Sequence, residues 1–199
     1  MFFDCVVSMD ILKETLAEMI DFSEEEADGF MQHCFRKSFR KKELLSEDHR
    51  FIDEVYFIEQ GILRVKIIDL EGKEHTTHFA VEKQFIADYN AFLTGKKSSY
   101  QLEAMEDTQV IVLPRAAIDW GYQNMRQGEK LGRLIAEYYF TYLDTRIQHL
   151  YTLSPLERYE LMGQIFPNIH NRVPQHMIAS YLGITPIHLS RIKSSSKNQ

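Results

Sequence analysis

The spacing of apolar residues changes twice along the chain, and each change marks a different kind of element. Between residues 10 and 34, apolar side chains fall at Ile11, Leu12, Leu16, Met19 and Ile20, and again at Phe30 and Met31. This is near the three-to-four spacing that places them on one face of a helix. Ser23 stands ahead of Glu24, Glu25 and Glu26. A hydroxyl that caps free amides, followed by carboxylates at the positive end of the helix dipole, predicts a helix start there. Two short helices are expected to open the chain. The stretch EVYFIEQGILRVKIIDLEGKEHTTHFAVEKQFI is instead rich in Val, Ile, Phe and Tyr, and Leu63, Val65 and Ile67 alternate with Arg64, Lys66 and Ile68. Gly61 and the run Asp69-Leu70-Glu71-Gly72 break it, the latter reading as a hairpin turn. Further strand-like pieces at 100–104 and 109–113 complete a set of short, closely spaced strands. Such a set predicts an antiparallel barrel or jelly roll rather than a parallel sheet.

Past Pro114 the period becomes helical and stays so. Between 126 and 153, Leu131, Leu134, Ile135, Tyr138, Tyr139, Tyr142, Leu143, Ile147, Leu150 and Tyr151 fill more than one face. A helix of that span is roughly 40 Å long, more than a small barrel needs as a lid. Its surplus apolar surface therefore predicts a second helix against it, with Leu131, Leu134, Ile135, Tyr138 and Tyr142 as the expected interface. Ser154-Pro155-Leu156-Glu157 then reads as a capping box with proline at the first helical position. This punctuation divides the expected organisation into a barrel over 10–125, a central helix over 126–153 and a C-terminal helical unit over 154–199. The fold class expected is α+β.

In the last unit, Gln175 to Tyr181 forms one short helix, Gly183 sits at a sharp turn, and Thr185-Pro186 begins another helix. Glycine suits the turn because it accepts positive φ. Ala179 is small where crossing helices touch, and Ile178, Leu182, Ile184, Leu189 and Ile192 can share a core. This order matches a helix-turn-helix. At about 100° per residue, Leu189 and Ile192 point inward while Ile187, Ser190, Arg191 and Ser194 point out. An outward arginine reaches a guanine edge or a phosphate, and an outward isoleucine a thymine methyl. Gln175, Thr185, Ile187, His188, Ser190, Arg191 and Lys193 are the candidate DNA contacts.

Charge sharpens this picture. The whole chain carries −6, yet from Tyr151 onward Arg158, Arg172, Arg191, Lys193 and Lys197 face only Glu157 and Glu160, a balance of +3. The preceding residues carry 18 basic and 27 acidic groups, a balance of −9. Phosphate contact is local, so the asymmetry outweighs the sum. Hydrophobic content of 44% is that of a globular protein, and the apolar runs are far shorter than the roughly 20 residues of a membrane span. The opening MFFDCVV has no secretory pattern, and Met9 is an alternative start. A cytoplasmic location is expected. Cys5 and Cys34 lack any metal-ligand spacing and read as idle or buried thiols.

The order QGILRV in a barrel, a long helix, then RVPQHMIASYLGITPIHLSRIK resembles the Crp/Fnr family of bacterial transcription regulators, from about Ile11 to Lys193. ERYELMGQIFPNIHNRVPQHMIASYLGITP is most similar to the branch common in Bacteroidetes. The resemblance implies a cyclic-nucleotide-binding jelly roll, a dimerising central helix and a winged helix-turn-helix. It also implies duplex DNA, a second copy of the chain and RNA polymerase as partners. Family members that bind cyclic AMP use a Gly-Glu pair for the ribose hydroxyl and a later Arg-Ser-Ala run for the phosphate. The matching positions here are Ala87-Asp88 and Ser98-Ser99-Tyr100, so the effector candidates are Asp88, Ser98, Ser99 and Tyr100. Ser98 cannot supply the charge of an arginine fork. Lys96 and Lys97 are the nearest cations, though a lysine pair beside Gly95 also reads as a solvated turn. Cyclic AMP is not expected, which leaves an unidentified effector or none. Of the family's base-reading residues only Arg191 has a match, Pro186 and Ile187 standing where an Arg-Glu pair would be.

Two rival readings come from other classes. A cupin-type metal enzyme shares the jelly roll, but its paired histidines lie two apart on a strand. His75 and His78 are three apart, which sends them to opposite faces. No catalytic constellation, metal set or cofactor is expected. The second rival is a sensing module whose last helices bind protein.

Overall fold

The structure, a computed structural model, describes residues 9–196, so Cys5, Lys197 and the opening MFFDCVV lie outside the described residues. Helices α1 (Asp10–Ala17) and α2 (Glu24–Met31) come first. At the start of α2, Ser23 accepts the Glu26 amide and Glu26 accepts the Ser23 amide, the reciprocal cap its sequence announces. Strands β1 (Phe35–Phe39), β2 (Leu44–Ser46), β3 (Glu54–Gln60), β4 (Leu63–Ile68), β5 (Glu74–Ala80) and β6 (Phe85–Ile86) follow. Helix α3 (Tyr89–Thr94) leads to β7 (Gln101–Ala104) and β8 (Thr108–Pro114). Two four-stranded antiparallel sheets result, ordered β1-β8-β3-β6 and β2-β7-β4-β5. They pack face to face as a jelly-roll sandwich.

Helices α4 (Arg115–Asn124), α5 (Gly128–Thr152), α6 (Pro155–Ile165), α7 (Ile169–Arg172), α8 (Gln175–Leu182) and α9 (Pro186–Ser196) complete the chain. Strands β1 and β2 and helices α3 and α7 are additions to the elements the sequence pattern predicts. Among the described residues no strand follows β8, so they contain no wing.

Three cores explain the layering. Between the sheets lie Tyr56, Ile58, Leu63, Val65, Ala80, Ile86, Leu102, Val110 and Val112. The opposite side chains of β3 and β8, Val55, Phe57, Ile111 and Leu113, pack with α1, α2, α4 and the start of α5. A third core joins Phe79 and Val81 to Met162, Phe166, Ile178, Ala179 and Leu182 of the C-terminal helices. Strand β3 is thus buried on both faces, which its unbroken apolar run requires.

The polar positions of β4 depart from simple alternation. Arg64 and Lys66 are only 2% and 7% exposed, and they share Glu74 and Glu103 at 2.6–3.2 Å. Cations taken out of water need such compensation. At the β4–β5 turn, Asp69 accepts the amides of Glu71 and Lys73, and Gly72 takes the positive φ.

The start of α5 rests on a close backbone approach. A Cβ at Gly128 would lie 2.0 Å from the Gly121 carbonyl oxygen of α4. Backbone on both sides leaves nothing flexible to yield. Gly128→Ala is therefore expected to cost about 3 kcal/mol, read as a lower urea midpoint at unchanged slope; a variant with the wild-type midpoint would refute the close packing.

Candidate nucleic-acid interface and effector site

The C-terminal unit is built on caps. Ser154 and Glu157 form the reciprocal cap of α6. Gly183 ends α8 at φ +69, and the Ile184 amide reaches back to Ala179 O at 3.0 Å, the left-handed termination that glycine favours. Thr185 Oγ1 accepts the His188 amide at 3.2 Å and starts α9. With Leu189 and Ile192 1% and 8% exposed, α9 sits firmly on α8. Ile187 is 68% exposed, and His188, Ser190, Arg191 and Ser194 are exposed beside it.

The seven candidate DNA contacts separate into two groups. Ile187, His188, Ser190 and Arg191 share the outward face of α9. Thr185 is occupied as the cap. The Lys193 ammonium donates to Gln175 Oε1 at 3.0 Å, tying α9 to the first residue of α8.

The effector candidates are brought together, but toward each other. Asp88 caps α3, its Oδ1 accepting the Ala91 amide at 3.0 Å. Its Oδ2 accepts the Ser98 hydroxyl at 2.7 Å. Ser98 Oγ in turn accepts the Tyr100 amide at 2.9 Å. Asp88 and Ser98 are 5% and 1% exposed, while Ser99 points to solvent. Tyr139 of α5 lies over Tyr89 of α3 with ring centroids 4.9 Å apart. Burial, then the nearby Tyr100 and Asp88, push the Tyr139 hydroxyl up to about 12. Lys96 and Lys97 are exposed, and the Lys97 ammonium lies 5.8 Å from the Phe51 ring centre. The Asp88 carboxylate and the Ser98 hydroxyl therefore already have partners within the chain.

The central helix separates the five residues expected at a dimer surface. Leu131 is 7% exposed, and Leu134 and Ile135 pack with it on the core beneath α5. Tyr142 bonds within the chain, so Tyr138, 59% exposed, is the only one of the five that turns outward. The stripe that α5 leaves open is Phe140, Leu143, Ile147 and Tyr151. Its spacing of three and four residues was hidden because apolar side chains cover both sides of the helix.

A second set of residues escaped the sequence reading. His78 Nδ1 of β5 lies 2.7 Å from the Tyr142 hydroxyl of α5, which lies 3.0 Å from the Tyr181 hydroxyl of α8. Ser180 Oγ of α8 accepts the Thr76 amide of β5 at 2.9 Å. Arg172 pairs with Glu82 at 2.6 Å and also with Glu106, both on sandwich turns. These partners stand 39 to 104 residues apart in the chain, so no local pattern shows them. His78 is buried beside Tyr142, whereas His75 bonds Asp69, so the two histidines do not converge. Among the described residues no group of three or more His, Cys, Asp or Glu is placed to hold a metal.

Residues 36–124 match the cyclic nucleotide-binding domain family. No curated protein matches the sequence significantly. Among solved structures, FixK2 from Bradyrhizobium japonicum is 18% identical, with 83% of this chain and 85% of that one covered, at a TM-score of 0.73. A transcriptional regulator of the Crp/Fnr family from Eubacterium rectale is 14% identical over 86% and 82%, at 0.67. The c-di-GMP-responsive global regulator CLP of Xanthomonas campestris is 10% identical over 88% and 92%, at 0.65. The chain thus has the fold of the Crp/Fnr-type regulators, with a cyclic nucleotide-binding domain ahead of a helix-turn-helix. Among the described residues no helix is long and apolar enough to cross a membrane.

The buried histidine gives the junction a pH signature. Burial, with the nearby Arg146 guanidinium, lowers His78 from 6.5 to about 3. The unfolded chain gains a proton below about 6.5 that the folded chain refuses. Stability present above that value is therefore lost as pH falls toward 3. His78→Gln, whose amide can still meet Tyr142, should make urea unfolding stability fall less steeply over this window, by ~1.4 kcal/mol per pH unit. An identical slope in both proteins would assign the proton elsewhere.

Proposed function

We propose that the chain is a cytoplasmic transcription regulator that binds a palindromic site in double-stranded DNA as a homodimer. The observation that carries this reading is the outward face of α9, where Ile187, His188, Ser190 and Arg191 project from a helix-turn-helix whose own core is complete. A complete core means that this face is not needed for folding, and its residue types suit a major groove. The stripe Phe140, Leu143, Ile147 and Tyr151 supports pairing of two α5 helices, which would set two α9 helices on one duplex. RNA polymerase is the further partner that transcription control requires.

The effector in this reading is not cyclic AMP. Asp88 is bonded to Ser98 and to the start of α3, and no arginine occupies the Ser98 position. The barrel serves a different effector, or acts as a scaffold.

Binding to duplex DNA, followed by fluorescence anisotropy, should weaken steeply with salt as phosphate contacts release counterions. Arg191→Ala is expected to lose about 1–3 kcal/mol of discrimination at one base position, and Lys193→Ala to weaken all sequences alike. Sequence-blind losses from both would remove Arg191 from base reading, and a flat salt response would favour a protein partner for these helices. Ile147→Glu should shift the protein to monomer in sedimentation velocity while leaving its circular dichroism intact. A variant that stays dimeric would place the interface elsewhere.

A further inference from the structure

A cleft of about 280 Å³ lies where α5, α6 and α8 meet. Its apolar wall includes Leu150, Leu161, Met162 and Leu182, and its cationic side chains are Arg146 and Arg158, with His149 nearby. No Asp or Glu lines it. Arg146 spends one nitrogen on the Tyr181 carbonyl at 2.7 Å and stacks on the Tyr181 ring, 4.4 Å from its centre. Arg158 spends one nitrogen on the carbonyls of Leu153 and Leu150, at 2.7 and 3.3 Å. The Nε of each is buried without a partner. Neither arginine is among the ion pairs of the described residues.

Two guanidinium charges beside an apolar, acid-free wall are an unusual arrangement. Elsewhere this chain compensates its shielded cations with carboxylates, as Arg64 and Lys66 show with Glu74 and Glu103. Buried donors without partners call for an acceptor. We propose that this cleft is a binding site for a small amphipathic carboxylate, its head held by Arg146 and Arg158 and its apolar body lying along Leu161 and Met162. A guanidinium matches a carboxylate in shape as well as charge. The volume lies just below the roughly 300–1,000 Å³ usual for ligand sites, which limits the body to a short chain or one ring.

The site is also compatible with a paired α5. The cleft residues Tyr138, Thr141, Thr145 and His149 lie about 180° around the helix from Phe140, Leu143, Ile147 and Tyr151, at about 100° per residue. A helix seated on the stripe leaves the cleft open. An occupant would touch the central helix and both helices that carry or precede the turn, so it would act on their relative placement.

Calorimetric titration of the full chain with octanoate, 1-octanol and acetate tests this without DNA, so its outcome is separate from that of the DNA-binding reading. Octanoate should saturate at one per chain, with octanol and acetate each at least about tenfold weaker. Arg146→Met should erase the preference of octanoate over octanol, and Leu161→Trp, which fills the apolar wall, should remove both. Octanoate binding no tighter than acetate or octanol would overturn the proposal. So would an octanoate affinity left unchanged by either variant whose fold is intact by circular dichroism. Because the two substitutions alter different walls, unfolding of one leaves the other decisive; Arg158→Met replaces Arg146→Met if the latter unfolds.

Discussion

The Tyr142 hydroxyl is the point at which the three parts of the chain meet. On one side it bonds His78 of the sandwich and on the other Tyr181 of the helix-turn-helix, while its own backbone belongs to the central helix. Burial drives the Tyr142 hydroxyl well above its ordinary range and keeps His78 neutral, so both are held as uncharged hydrogen-bonding groups. Around them Phe166 packs edge to face with Phe79 and Tyr181, and Phe79 lies tilted against Tyr181, which fixes the bonds in an aromatic setting. The position of α9 therefore follows from that of α5, and α5 in turn follows the sandwich. The Arg172 bonds to Glu82 and Glu106 add a second tie at the sandwich turns.

How much of this could be read from the sequence depends on distance along the chain. Caps at Ser23, Ser154 and Thr185 and the turn at Gly183 are local, each decided within four residues, and the structure forms every one. Strand β3 announces itself because two buried faces demand a long apolar run, and β4 and β5 because alternation and the turn at 69–72 mark them. Strands β1 and β2 did not, since Arg36, Lys37, Arg40, Lys41, Lys42 and Glu43 swamp the period of Phe35 and Phe39. Helix α3 has only six residues, too few for a helical period to show, although Asp88 and Gly95 cap it at both ends. The relay from His78 to Tyr181 and the Arg172 pairs had no local signature at all. The two sides of α5 are not told apart for a related reason: with tyrosines on both sides, periodicity cannot say which side the sandwich takes.

Polar groups within the sandwich share one habit. Asp88 and Ser98 satisfy each other, and Arg64 and Lys66 divide two glutamates between them. Buried groups that spend their polar atoms on one another in this way keep a fixed arrangement without an occupant. The cleft at the helical junction differs, since there the Nε of Arg146 and that of Arg158 are buried without partners. Whatever responsiveness the molecule has is thus better sought between its parts than inside the barrel.

The glycine contact at the start of α5 has a mechanical side. Gly128 and Gly121 bring two helix backbones together at one end of a 25-residue rod, and the helix-turn-helix begins just past the other end. Such a rod is about 37 Å long, so a tilt of about 5° at the glycines carries its far tip ~3 Å, close to the rise of two helical residues. A joint too tight for a methyl group therefore sets the aim of a long arm. A small misfit there would be magnified into a displacement comparable to the spacing between neighbouring base pairs.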